Sequence, residues 1–400
     1  MSIFFVIRKI VCSFATLKKK DMKVQIFILI VATALLIQCS PAQKETLPII
    51  KANSTVVDIK VDNVLRKNAW RIVPEEELDV YTTSAKKVTF YTDIDSISFK
   101  INPKAGKYDF IILLNGKDSA RTQIKYEPSR LEMLKGAEKY NYSDNRFISE
   151  FTYQSEDNPN LKKIRQTLQL DSIAGTGSEL MQIFNLLHWL HNLISHDGNS
   201  YNPTSQNAVD LIQVCKVENR GVNCRMLATI LNECYLSMGI KSRFVTCMPK
   251  ETQFDDCHVI NMVYSRDLDK WIWIDPTFDA YVMDEKGNLL GIQEVRERLI
   301  KGQPLVLNAD ANWNRESLQT KEHYLDNYMA KNLYRLQCSL SSEYNTETRE
   351  NGKNFTYIEL LPLDGIEQTP QKREDANQET RMKFTFYKTN NPDLFWTKPK

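Results

Sequence analysis

The 400-residue chain has no excess of either charge. Lys and Arg number 52 and Asp and Glu 50, for a net charge of +2. Binding a phosphate backbone takes clustered cations, so nucleic acid is not expected as a partner. Glycine and proline are sparse, at 13 and 14 residues, which excludes collagen-like and low-complexity classes. No apolar run reaches the ~20 residues that cross a bilayer. What is present is ordinary globular usage, 42% hydrophobic and 26% charged. At roughly 150 residues per domain, the length suits two or three domains with packed cores.

The first segment reads as an address. Met22 and Lys23 precede Ile26 to Ile37, apolar except for Thr33, and LLIQCS follows with Cys39. A positive start, a short apolar stretch and a terminal Cys read as a secretory signal. The stretch resembles a bacterial lipoprotein signal, which implies lipidation of Cys39 and a membrane anchor in the cell envelope. Gln38 stands where that family prefers a small residue. Met22 then reads as the start of the leader, and Met1 to Asp21 as an extension ahead of it. The alternative is a buried hairpin or one anchoring helix through both apolar runs. Cleavage before Cys39 removes six basic residues and one acidic residue and leaves a net charge of −3.

The pattern then divides. Residues 40–55 read as a polar tether. Residues 56–128 have period two: Ile97, Phe99 and Ile101 alternate with Ser98 and Lys100. The run KYDFIILL meets the turn NGKD before SARTQIKY. This predicts a β-rich, sandwich-like module. Residues 129–160 form a connector of mixed pattern. Helical spacing starts near Leu161, with Leu180, Ile183, Phe184, Leu187, His191 and Ile194 on one stripe. The domain expected there spans 161–307. Residues 308–400 read as an extension: a helix around Tyr324 and Tyr328, two strands, and an exposed loop from Gln368 to Thr380 between them.

Cysteine spacing bears on chemistry. Past Cys39 the chain holds Cys215, Cys224, Cys234, Cys247, Cys257 and Cys338, with no CxxC among them. Gaps of 9, 10, 13 and 10 fit no zinc signature. An exported protein could pair its cysteines, but one reserved for chemistry leaves five, hence at most two disulfides.

One segment carries a site. In GVNCRMLATILNECYLSMGIKSRFV, Asn223 is a helix N-cap and Gly239 a helix stop. Leu227, Leu231, Cys234 and Met238 mark one face, and Cys224 sits on it at the first turn. Unpaired N–H groups and the helix dipole there favour thiolate. Downstream, HVINMVY and WIWIDPTF have strand composition. If Ser265 to Leu268 form a hairpin loop, Met262 faces Trp271, Ile260 faces Trp273, and His258 faces Asp275. An imidazole held by a carboxylate beside a helix-start thiol is the constellation of a thiol nucleophile. His188 and His191 lie three apart and could hold a metal. His191 sits on the apolar stripe, so both read as structural, as does His196 in the following loop. The DEKGN stretch after Met283 reads as a hairpin turn and not as a calcium loop.

GVNCRMLA, CHVINMVYS and WIWIDPTF, with GIKSRFV between, resemble the transglutaminase-like domain of the papain-like thiol superfamily. The likeness covers about Leu161 to Gly302. It implies an α+β fold with a helix packed on an antiparallel sheet. It also implies a catalytic Cys224, His258 and Asp275, with no cofactor and no metal. Ile260 and Met262 stand where the family often has an aromatic and an acidic residue. The activity implied is that of an exported thiol enzyme acting on peptide, protein or peptidoglycan-like amides through a thioester, foremost as a peptidase or amide hydrolase. A cross-linking acyltransferase and a non-catalytic binding module are the competing readings. The Cys224 N–H is expected to form half of an oxyanion hole, with Gln206 or Asn207 supplying the other half.

Overall fold

The computed structural model describes residues 47–137, 139–254 and 256–400. Cys39, the leader and the tether to residue 46 lie outside them. The described chain forms two units that part between Tyr126 and Glu127.

The first unit is a sandwich of two four-stranded sheets. Val64–Arg71, Val56–Val61, Lys87–Tyr91 and Ser96–Lys100 make one sheet. Ile49–Ala52, Lys107–Leu114, Asp118–Tyr126 and Asp79–Thr83 make the other. The expected NGKD turn joins Lys107–Leu114 to Asp118–Tyr126, with Leu114 paired to Asp118. Asn115 and Gly116 take φ of 52° and 68° there, the left-handed region such a turn needs. Phe90, Phe110, Ile59, Ile112 and Ile124 fill the space between the sheets. The tether is shorter than expected, because Ile49–Ala52 pairs in parallel with Ile111 to Leu114.

The second unit is built on a seven-stranded sheet. Two of its inner strands, Ser242–Met248 and His258–Ser265, are buried at every residue. Helices cover both faces. On one face, Val263, Ile272 and Ile274 pack with the helices Glu179–Leu193, Ala208–Glu218 and Cys224–Ser237. On the other, Ile260, Met262 and Trp273 pack with the helix Ile292–Lys301 and the helical segment from Glu322 to Asn332.

Residues 308–400 are therefore not an appendage. Arg335–Ser339 pairs directly with Ser242–Met248, and Asn354–Leu360 and Lys383–Thr389 continue the same sheet. The connector also joins this unit: Leu134 is buried in its core. The expected exposed loop contains Lys372–Ala376, an edge strand paired with Lys383–Thr389 and exposed at all five residues. Its charged sequence KREDA is what a solvent-facing edge tolerates, since nothing packs on it. No helix among the described residues is long and apolar enough to cross a membrane.

Candidate active site

The helix Cys224–Ser237 starts where the sequence requires. Asn223 has extended backbone geometry, and its side chain accepts a hydrogen bond from the Met226 N–H. The helix is buried from Met226 to Ser237, not amphipathic, because it is enclosed between the sheet and the other helices. Cys224 is not on the Leu227–Leu231 face. It packs with Ala228 against Phe244 and Val259, on the side turned to the sheet, and stays partly exposed.

His258 opens its strand and is fully buried. The hairpin with Lys270–Ile274 has a register different from the one expected. Ser265 pairs with Lys270, Tyr264 with Trp271 and Met262 with Trp273. The turn moved one residue along because Asp269 adopts a φ of +51°, which suits a turn end and not a strand. The net shift is two positions, so every side chain keeps its face. His258 and Asp275 become a diagonal pair, still within reach of each other. His258 Nε2 donates to Asp275 Oδ2 at 2.7 Å.

Asp275 has two further donors. The Thr277 N–H reaches Oδ1 at 2.9 Å, and the Tyr324 hydroxyl reaches Oδ2 at 2.6 Å. Trp273 Nε1 donates in turn to the Tyr324 oxygen at 3.1 Å. Phe278 and Tyr328 stand edge-on to the His258 ring, at 5.6 and 5.2 Å between centroids. The imidazole is thus fixed on three sides, and its Nδ1 has no hydrogen-bond partner among the described residues. The Cys224 thiol lies near enough to this ring for the two to act on each other's charge.

The electrostatics follow. Burial alone would raise the Cys224 pKa, but His196 and His258 overcome it and lower the thiol to about 6. Burial alone would lower the His258 pKa. The charge and hydrogen bond of Asp275, with Cys224 beside it, push it well above the usual imidazole value. The two shifts are two sides of one thiolate–imidazolium pair.

Two members of this cluster were not legible as such. The sequence marks His196 only as a structural loop residue and Tyr324 only as part of a helix stripe. The only local mark of His196 is a titratable side chain among the turn-formers of HDGNSYN. Tyr324 lies 49 positions from Asp275, and no local pattern links the two. Asn207, expected at an oxyanion hole, caps its own helix by accepting from the Asp210 N–H. The Gln206 N–H is bound to Thr348 Oγ1.

The other histidines serve structure. His191 is buried between the Pro276 carbonyl and Asn312 Oδ1, at 3.1 and 2.9 Å. His188 pairs with Asp279 at 2.6 Å rather than with His191, and Asp310 lies close enough to complete a three-ligand group. The His188–Asp279 ion pair already engages two of those three groups. Asp284 closes the DEKGN turn by accepting from the Lys286 and Asn288 N–H groups. All six cysteines among the described residues are free.

Known proteins bear on the fold of this region. Residues 166–276 match the model of the transglutaminase-like superfamily. Among solved structures, a "putative cysteine protease" from Cytophaga hutchinsonii is similar at 19% identity, with a TM-score of 0.24, over 29% of this chain and 37% of that one. Red sea bream transglutaminase is similar at 13% identity, with a TM-score of 0.24, over 58% of this chain and 50% of that one. The chain thus spans half or less of either relative. No curated protein matches. Residues 166–276, which include the helix-start Cys224, His258 and Asp275, form a transglutaminase-like domain.

Proposed function

We propose that this protein is an exported thiol enzyme that hydrolyses peptide or related amide bonds, with Cys224 as nucleophile, His258 as acid and base, and Asp275 as the group that orients His258. The observation that carries the reading is the pairing of a partly exposed, low-pKa thiol at a helix start with an imidazole that a buried carboxylate holds. In acylation, the Cys224 sulfur bonds to the carbonyl carbon and the carbonyl π pair moves onto oxygen. When the intermediate collapses, the C–N bond breaks and the amine leaves with the proton from His258. In deacylation, His258 takes a proton from water as its oxygen bonds to the thioester carbon. The C–S bond then breaks and Cys224 leaves as thiolate. The Cys224 N–H opens the helix and has no intrahelical acceptor, so it is free to donate to the oxyanion.

Export and anchoring rest on the leader and on Cys39. Mass analysis of the membrane-extracted protein should find an acylated N-terminus at Cys39, and a mature chain that retains Met22 to Gln38 would contradict the anchor. The activity is tested with peptide substrates in the presence and absence of a primary amine, beside Cys224→Ala. Hydrolysis that needs Cys224 and dominates over amine incorporation supports the reading. Dominant incorporation would make the protein a cross-linking acyltransferase. Neither reaction would leave a binding module.

A further inference from the structure

We propose that His196 is a further catalytic residue. Its Nε2–H donates first to the Cys224 thiolate and then to the oxyanion formed when that sulfur attacks a carbonyl. The inference rests on the thiol-enzyme reading above and adds the group that stabilises the reaction's developing charge.

The chain builds a dedicated seat for this ring. His196 forms a parallel bridge with Val222, two residues before the nucleophile. The Val222 N–H donates to the Ser195 carbonyl at 3.2 Å, and the Asp197 N–H to the Val222 carbonyl at 2.8 Å. The two segments approach closely because residue 221 is glycine. A Cβ there would lie 2.4 Å from the Ser195 oxygen, closer than real contacts allow. Asn314 grips the backbone of His196 on both sides: its Oδ1 accepts from the His196 N–H at 2.6 Å, and its Nδ2 donates to the carbonyl at 3.0 Å. Arg315 ties the same strip down, donating to Ser195 Oγ at 2.6 Å and to the His191 carbonyl at 2.7 Å.

The ring's tautomer follows from its neighbour. Trp313 Nε1 lies 3.5 Å from His196 Nδ1. An indole N–H only donates, so Nδ1 accepts and the proton sits on Nε2. His196 acts together with His258 to lower the Cys224 thiol. The two imidazoles have different surroundings. His258 is wholly buried against a carboxylate and exchanges protons. Among the described residues no carboxylate bonds the His196 ring, whose Nδ1 partner is an indole, so it can donate a hydrogen bond without giving up a proton. When sulfur attacks, its electron pair forms the C–S bond and the carbonyl pair moves to oxygen. The negative charge passes to the oxygen on the attacked carbon, two bonds from the sulfur, where the same N–H and the Cys224 N–H meet it. The proton stays on His196 throughout. Of the two residues expected for this task, Asn207 is used as a helix cap, and the backbone N–H of Gln206 is held by Thr348 Oγ1.

The test compares two reactions of one thiol in the full-length protein. Iodoacetamide alkylates sulfur with no oxyanion, whereas 4-nitrophenyl acetate acylates it through a tetrahedral oxyanion. Both are measured against pH in wild type, His196→Ala, His196→Gln and His258→Ala, with circular dichroism to verify folding. In His196→Ala the Cys224 pKa should rise from about 6 toward the ~8.5 of a free thiol. At pH values where the thiol is fully ionised, alkylation should stay within about twofold while acylation falls by about 10²-fold. His196→Gln keeps an N–H donor and should recover most of the acylation rate. If His196→Ala leaves both the pKa and the acylation-to-alkylation ratio unchanged while His258→Ala raises the pKa, the inference is overturned and the thiol-enzyme reading stands. If Cys224 in the wild type reacts with neither reagent faster than a free thiol, that reading fails, and the inference with it.

Discussion

At the residue scale, the site is a relay of donors that ends on one thiol. Trp273 donates to Tyr324, Tyr324 and His258 donate to Asp275, and His258 meets Cys224. The links from Trp273 to His258 are buried, so an unmade hydrogen bond there costs the desolvation of the orphaned group. Tyr324→Phe removes a donor from Asp275 and the acceptor of Trp273 Nε1. We expect a loss of about 1–3 kcal/mol, read as a lower melting temperature, together with slower turnover as Asp275 loses a support. Unchanged melting and turnover would mean that Tyr324 does not position Asp275. Cys224, His258 and Asp275 were legible from sequence because each sits at an element boundary that local rules mark: an N-cap, a strand start, a strand end before Pro276. Tyr324 was not legible, because only the packing of a distant helical segment across the sheet brings it to the carboxylate.

At the element scale, the hairpin explains how a wrong register leaves a correct pair. Side chains alternate with period two, so a shift of two positions preserves the face, whereas a shift of one would have separated His258 from Asp275. Counting the loop could not tell the two registers apart, since both leave four residues in it. The left-handed backbone of Asp269 decides between them. The helix that carries Cys224 is held by the buried carboxyl group of Glu233, whose pKa burial raises to about 8, so that it is a carboxylate above that pH. Glu233 Oε2 accepts from the Ala208 N–H and Oε1 from the Asn345 N–H, both at 2.7 Å. It thereby joins this helix to the start of the helix Ala208–Glu218 and to the loop at 345. Glu233→Gln replaces one acceptor with an NH₂ group that faces an N–H. The expected cost is about 1–3 kcal/mol, or roughly 2–4 °C of melting temperature per kcal/mol for a unit of this size. Equal melting of the variant and the wild type would rule out this tie.

At the scale of the whole molecule, the sequence pattern separated a β-rich module from a mixed unit but misjudged the extent of the second. The strands from 335 to 389 pair into the sheet that holds Ser242–Met248, and no local periodicity records which strands will be neighbours. The six free cysteines of this unit sample its interior and make it a test of the central claim. Burial raises the pKa of Cys215, Cys234, Cys247, Cys257 and Cys338, with Cys338 pushed up to about 11. Cys224 alone among them is lowered, to about 6. A depressed pKa means that the thiolate forms as pH rises through that value and is lost below it. The most direct measurement is the iodoacetamide rate at each cysteine of the native protein between pH 5 and 10, resolved by peptide mass analysis. The account predicts that Cys224 labels first, with a midpoint near 6, that the other five label slowly throughout, and that His258→Ala moves the midpoint upward. A Cys224 that labels no faster than its five neighbours, or with the midpoint of a free thiol near ~8.5, would contradict it.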